Sequence, residues 1–409
     1  MNLLSRRAAI VVFLVFAFSY FFSTLIRAIT ATLSPSLTEE FALNARDLGL
    51  LAGGYFLGFA ATQLPLGRWL DRHGPKRVIL CFLGVAVLGC LAFSQATGFG
   101  GLLLARILCG VGVSACLMAP LTGYRRWFAV PIQLRANSWM LMTGSLGLMA
   151  STLPVQWLVP VVGWRVLFMG LALLVLLAMA VIAWQVPEWQ TGLDSVGTQQ
   201  VSHDNSYQEV WKNPYFQKMG SIGFFNYGGL LAIQTLWAMP WMMQVSGYSA
   251  VQAATGMFWI NLCMLGMFCM WGVISPWLLR QGWHAEHLIR RALPLSFVLL
   301  AMNIGFGSTW PEWSGVLLAL YCMSCTVVAL AQAAVGLAFP AELAGRALSA
   351  YNLVIFAGVF AMQWGIGLLI DGLGAMGWPK TLAYQGAMVL FLGLCMASYV
   401  KFLLTKTAK

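Results

Sequence analysis

The sequence predicts an all-α integral membrane protein of twelve transmembrane helices, arranged as two six-helix bundles with both termini in the cytoplasm. Three observations carry this. The chain of 409 residues is 60% hydrophobic and only 9% charged, with a mean hydropathy of +0.80; soluble domains carry about 25% charged residues. A water-soluble fold of this length cannot bury so much apolar surface, so the solvent is lipid. Apolar runs of about 20 residues, enough to cross the hydrocarbon core, recur along the whole chain. Lys and Arg then concentrate in alternate connections, as the positive-inside rule requires.

The first span, 8–32, follows Arg6 and Arg7. It is longer than a signal-peptide core and lacks a clear cleavage site, so it reads as an uncleaved helix. The next spans are 47–67, 77–96, 99–123, 136–159 and 164–186. A polar stretch from Pro187 to Pro214 then reads as a cytoplasmic linker. It divides an N-terminal bundle (1–186) from a C-terminal one (215–409). The second half contributes 216–245, 250–275, 291–309, 313–338, 346–371 and 382–404. These runs are continuously apolar rather than alternating, which excludes a closed β-barrel.

With the N-terminus inside, 18 of the 23 Lys and Arg residues fall in cytoplasmic segments. Arg46, Arg165 and Lys380 fall outside, and Arg27 and Arg106 lie within spans. The net charge of +11 is therefore an orientation signal, scattered through short turns, and not a nucleic-acid footprint. The nine cysteines all sit in or beside apolar runs. Cys322-Met-Ser-Cys325 has the letters of a C-x-x-C pair, but neither a βαβ context nor a His/Cys cluster accompanies it, so it reads as packing. Trp69, Trp127, Trp157, Trp164, Trp310 and Trp313 stand near span ends as an interfacial belt.

The densest polar block between spans is Gly67-Arg-Trp-Leu-Asp-Arg-His-Gly-Pro-Lys-Arg77, read as a charged cytoplasmic turn. Its core, Trp69-Leu-Asp-Arg-His-Gly74, recurs 208 residues later as Trp277-Leu-Leu-Arg-Gln-Gly282, with Leu279 in place of the Asp. Equivalent turns after the second span of each half indicate a duplicated architecture.

The block resembles the loop 2–3 signature of the major facilitator superfamily, G-x-x-x-D-R-x-G-x-K/R-R. Arg106-Ile-Leu-Cys-Gly-Val-Gly112 resembles that family's R-x-x-x-G-x-G element in span 4. Arg27 with Pro35 eight residues on resembles span 1 of its organophosphate and sugar-phosphate permease branch. Span 5, Gly144 to Pro154, does not match the family's antiporter signature, which counts against drug efflux. The resemblance implies alternating access between two bundles, with Gly67, Asp71, Arg72, Gly74, Lys76 and Arg77 in gating. Asp71 would approach helix ends of the other half in one state. The resemblance also gives Arg106 a place in coupling or in the structure of the N-terminal bundle.

Arg27 is the sharpest candidate for substrate binding. A charge inside a span costs several kcal/mol unless it faces a cavity or a partner, and a guanidinium grips a carboxylate or phosphate with two hydrogen bonds. The other reading of Arg27 is a cation snorkelling to the interface or bonded to helix carbonyls. Tyr20 and Tyr55 are polar neighbours in the same half, and Asn226, Tyr227, Gln234, Trp237 and Asn352 are candidate contacts in the other. The 208-residue offset sets Arg27 against Thr235, so only one half offers a cation. Sugar-phosphate antiporters of the resembling branch use one in each half, which favours a monoanion or a zwitterion here. No Asp, Glu or His lies at mid-span, and Asp47 and Asp371 sit at span ends. A buried carboxylate or histidine relay is therefore not expected, and neither cofactor nor metal is implied. The expected partners are a small solute, the bilayer, and a coupling proton or counter-anion, with a monomer as the working unit. The alternatives are an exporter of amphipathic compounds and a non-transporting sensor on the same fold.

Overall fold

The computed structural model describes residues 3–188 and 203–405. Residues 189–202 of the expected linker, and Lys406 and Lys409 of the charge count, lie outside the described residues. Every regular element described is helical: α1 (Arg6–Phe41), α2 (Ala45–Ala61), α3 (Gln63–Ser94), α4 (Phe99–Val113), α5 (Ala115–Trp127), α6 (Val130–Ala150), α7 (Leu153–Gln185), α8 (His203–Lys212), α9 (Pro214–Ile222), α10 (Gly228–Ala232), α11 (Ala238–Gln244), α12 (Ala250–Arg280), α13 (Ala285–Phe306), α14 (Pro311–Cys325), α15 (Leu330–Ala338), α16 (Ala341–Ala375) and α17 (Lys380–Leu404). Among the described residues, nine helical stretches are long and apolar enough to cross a membrane.

The charged block at 67–77 is not an open turn, which corrects the sequence expectation. Helix continues through it on both sides of one residue, Gly74, whose φ of 76° and ψ of 161° lie outside the helical region. Only glycine adopts that φ without strain. Pro75 disfavours the helical region for the residue before it and restarts the helix with its fixed φ. The charged side chains of the block therefore project from helical ends. Gly163 breaks α7 in the same way, with φ 76° and ψ 157°. The first span is also longer than expected, because the helix continues past Pro35 to Phe41.

Contacts divide the chain into two compact units. The first comprises Met1–Ile29 and Gly54–Val201. Here α3 packs chiefly on α4 and α7. A Cβ at Gly112 would overlap the Ala86 backbone, and one at Gly89 would lie 2.7 Å from the Cys109 nitrogen. Small residues thus let the α3 and α4 backbones touch, as membrane helices do where no hydrophobic drive separates protein from lipid. Phe93 stacks on Phe168 of α7 at 4.1 Å between centroids.

The second unit comprises Thr30–Gly53 and Ser202–Lys409. Its α9 starts on Pro214, with the Asn213 side chain accepting from the Tyr215 and Phe216 N–H groups at 2.8 and 3.2 Å. Two π turns, Gly223–Tyr227 and Ile233–Trp237, interrupt the helix that follows. Each inserts an extra residue into the turn and rephases the side chains beyond it. Against the first turn, Gly358 of α16 lies so close that a Cβ would overlap the Phe224 carbonyl.

Candidate functional site

In the first unit, Arg106 is fully buried on α4. Its Nη1 donates to the Ile26 carbonyl at 2.8 Å and its Nη2 to the Arg27 carbonyl at 3.3 Å. The guanidinium carbon lies 5.1 Å from the centre of the Tyr55 ring. A buried cation without a carboxylate is thus held by two carbonyl dipoles and an aromatic face. The glycines of the R-x-x-x-G-x-G element have a steric cause. A Cβ at Gly110 would overlap the Tyr55 carbonyl, so α2 and α4 approach at backbone distance beside Arg106.

Arg27 sits on α1 at the point Arg106 grips. Its side chain is half-buried, with the guanidinium carbon 5.4 Å from the centre of the Phe59 ring. Tyr55 is buried and donates to the Ser23 carbonyl at 3.4 Å. Tyr20 is buried against α6, where a Cβ at Gly144 would come within 2.6 Å of its ring. Four sequence candidates, Arg27, Tyr20, Tyr55 and Arg106, therefore belong to one neighbourhood of α1, α2, α4 and α6.

In the second unit, the candidates separate into three groups. Gln234 donates to Asn261 Oδ1 at 2.7 Å, and Asn261 donates to the Met257 carbonyl at 2.9 Å. Next to it, Gln363 donates to Thr235 Oγ1 at 3.0 Å, and Trp237 Nε1 donates to the Gln363 carbonyl at 3.1 Å. The Oε1 of Gln363 is buried without a hydrogen-bond partner. Asn226 instead donates to Ser398 Oγ and the Cys395 carbonyl of α17 at 3.3 and 3.4 Å. Asn352 accepts from Gln332 at 2.8 Å. Tyr227 is half-buried in the first π turn. All five candidates are placed, but the structure does not gather them into one cluster. Sequence reading missed that Asn226, Tyr227, Gln234 and Trp237 all fall in π turns.

Among the expected gating residues, Lys76 Nζ lies 3.1 Å from Glu188 Oε1, and Arg77 Nε 3.8 Å from Oε2. Asp71 and Arg72 are exposed. Gly67 stands in open space and Gly74 is the helix break. Lys218, counted from sequence as a cytoplasmic charge, is buried: its Nζ lies 2.6 Å from Glu286 and 5.0 Å from the centre of the Phe402 ring. No sequence signal pointed to the Glu188 or Glu286 pairings, since each joins residues distant in the chain. The second unit also holds a cavity of about 830 Å³, lined by Thr38, Asn44, Arg46, Asp371, Lys380 and Tyr384 among others.

Cations and amides buried among helices long and apolar enough to cross a membrane define a multi-span helical membrane protein. The chain is a member of the Major Facilitator Superfamily, whose family profile matches residues 16–363. It is 24% identical over 415 aligned residues to the uncharacterized transporter YybO of Bacillus subtilis, covering 91% of this chain and 89% of YybO. The probable sulfoacetate transporter SauU of Cupriavidus necator is 25% identical over 58% of this chain and 57% of its own length. The hexuronate transporter of Escherichia coli K12 is 25% identical, over 65% of this chain and 64% of its own. The chain thus spans well under two thirds of SauU and just under two thirds of the hexuronate transporter. In fold it matches the D-xylose–proton symporter with a TM-score of 0.79 at 13% identity, covering 98% of both chains. The protein is a non-enzymatic, multi-pass transporter of the cell membrane, and its bacterial relatives fit an inner-membrane setting.

Proposed function

We propose that the chain is an alternating-access transporter of a small organic anion, with twelve spans in two six-helix halves, 1–186 and 215–409, and both termini cytoplasmic. The span number is supported by the breaks at Gly74 and Gly163, which divide two of the long helices, and by the interrupted helix from Pro214 to Gln244. The 18-to-3 charge asymmetry supports the orientation.

One observation carries the substrate class: Arg27 is a half-buried cation on an apolar helix, and the backbone beneath it is fixed by a second arginine. A fixed guanidinium suits a carboxylate or sulfonate. The names of the relatives, which include sulfoacetate and hexuronate transporters, agree with that chemistry. Tyr20 and Tyr55 accompany Arg27 as proposed contacts, and Asn226, Tyr227, Gln234, Trp237 and Asn352 form the proposed neutral set. The charged ends around Gly74 are the proposed gating element. A proton or counter-anion is the proposed coupling species, and a monomer the proposed working unit.

The test is a thermal-shift series on detergent-purified protein with glucuronate, sulfoacetate, xylose and a cationic amphiphile. A ligand that binds only the folded state raises the melting temperature by mass action. The acids should stabilise the native protein and leave Arg27→Gln unmoved, with anion affinity falling about 100-fold. Stabilisation by xylose or the amphiphile alone, equal in both proteins, would sink the anion reading and favour efflux.

A further inference from the structure

We infer that the turn between α12 and α13, with Arg280, Arg290 and Arg291, binds the phosphate headgroup of an anionic phospholipid. The site requires that α12 and α13 span the membrane, which their length and hydropathy allow. It depends neither on the transported solute nor on which membrane face the turn occupies.

The turn carries the second copy of the repeated block, Trp277-Leu-Leu-Arg-Gln-Gly282. The two copies share a backbone device and differ in charge. Gly282 turns the chain with a φ of 77°, against 76° at Gly74, in the left-handed region that glycine enters freely. In the first copy the cations have carboxylates at hand: Asp71 lies within the block, and Lys76 and Arg77 reach Glu188. In the second, exposed Leu279 stands where the first has Asp71. Glu286 is the only acidic residue between Glu209 and Glu312, and it is engaged by buried Lys218, with 2.6 Å between Oε2 and Nζ. Arg280, Arg290 and Arg291 are all exposed. Among the described residues no carboxylate pairs with any of the three. The turn is therefore a cationic surface whose nearest acid is already neutralised.

The apolar surface beside these charges selects a lipid over a free anion. On α12, Val273, Trp277 and Arg280 share one face, at spacings of four and three residues, and Val273 and Trp277 are exposed. Tryptophan favours the membrane–water boundary, so Arg280, about 4.5 Å further along the helix, stands at headgroup level. On α13 the order is reversed: Arg291 comes first, and exposed Leu295, Val298 and Met302 follow on its face. The Arg291 guanidinium carbon lies 4.4 Å from the centre of the Trp283 ring, which holds the cation at the turn. Each helix thus offers an apolar stripe for an acyl chain with a guanidinium at its end. A guanidinium takes two oxygens of one phosphate at once, and clustered basic side chains beside membrane helices attract anionic headgroups. A free phosphate would meet the charges but gain nothing from the stripes.

The experiment is native mass spectrometry of the detergent-purified protein titrated with phosphatidylglycerol. Phosphatidylcholine with the same chains is the neutral lipid, and glycerophosphoglycerol is the headgroup without chains. Phosphatidylglycerol should bind at least about tenfold more tightly than phosphatidylcholine, and glycerophosphoglycerol should not compete. Combining Arg280→Gln, Arg290→Gln and Arg291→Gln should abolish that preference. Combining Arg6→Gln, Arg7→Gln and Lys212→Gln, which removes the same charge from exposed positions elsewhere, should preserve it. Leu279→Asp, which sets a carboxylate beside Arg280 as in the first copy, should weaken phosphatidylglycerol about fivefold, the effect of one charge near a membrane surface, and leave phosphatidylcholine unchanged. Equal losses in the two triple variants would overturn the site in favour of net charge alone. Competition by glycerophosphoglycerol would overturn the lipid in favour of a free phosphate ester. Melting temperatures in phosphatidylcholine report folding; if the arginine triple variant does not fold, Leu279→Asp decides, and unchanged phosphatidylglycerol binding there overturns the proposal.

Discussion

The polar interiors of the two units solve the same problem with different chemistry. The first unit buries cations: Arg106 is held by the carbonyls of Ile26 and Arg27 and by the face of Tyr55, and Arg27 sits on the segment so held. The second unit buries amides bonded to neighbouring polar side chains, Gln234 to Asn261 and Gln363 to Thr235. Lys218, its buried cation, is instead neutralised by Glu286. A cation inside lipid is costly and retained for a purpose, whereas amide pairs between membrane helices are common and individually weak. The comparison agrees with the proposed place of charge recognition, in the first unit. It also separates two arginines that look equivalent in sequence: Arg106 is spent on backbone, and Arg27 is what that backbone presents.

The largest effect that could break this comparison is at Arg106. Arg106→Ala removes two charge-assisted hydrogen bonds and a cation–π contact at a fully buried site. A loss of about 2–3 kcal/mol is expected, read as a lower melting temperature both with and without anion. Because Arg106 positions Arg27, its loss should also weaken acid binding while sparing any neutral ligand. Unchanged stability would mean that the grip on α1 contributes nothing and that the two arginines are not in series.

A smaller effect is expected at Gly110→Ala, whose Cβ would overlap the Tyr55 carbonyl. Backbone cannot swing aside as a flexible side chain does, so the α2–α4 approach must widen, at a cost of about 1–3 kcal/mol. The widening should lengthen the Arg106–Tyr55 contact. A variant as stable as the native protein would show that the glycine is not there for close approach.

These tests rest on contacts the sequence could only partly reveal. The apolar runs marked the helices, since a lipid-length stretch has few other uses, and the charge bias marked their connections. The block at 67–77 misled because dense charge was taken for a loop. Helices extend beyond the hydrocarbon core, and Gly74 with Pro75 is enough to turn the chain. Arg27 and Arg106 stood out because charge in an apolar run is conspicuous. Their difference in role was not legible, because it depends on which carbonyls lie opposite Arg106 across about 80 residues of chain. The π turns were equally hidden. The first packs against Gly358 of α16, a contact that local composition does not encode.

The smallest effect is expected in the amide layer, where it sharpens the contrast most. Gln234→Ala removes the donor to Asn261 Oδ1, while Asn261 keeps its bond to the Met257 carbonyl. Only one bond is lost, and in a membrane interior such a bond is worth about 0.6 kcal/mol. A double-mutant cycle of Gln234→Ala with Asn261→Ala should return a coupling of that size. If Gln234 also serves as a neutral substrate contact, its loss should weaken anion-induced stabilisation by about threefold, the same energy expressed as an equilibrium constant. The Arg27→Gln effect should exceed this by more than an order of magnitude. A coupling energy well above 1 kcal/mol, or an affinity loss matching that of Arg27→Gln, would show that the second unit shares charge recognition and would erase the distinction between the two interiors. An intact affinity with the expected coupling would leave Gln234 and Asn261 as a bond between helices and confine recognition to the arginine of α1.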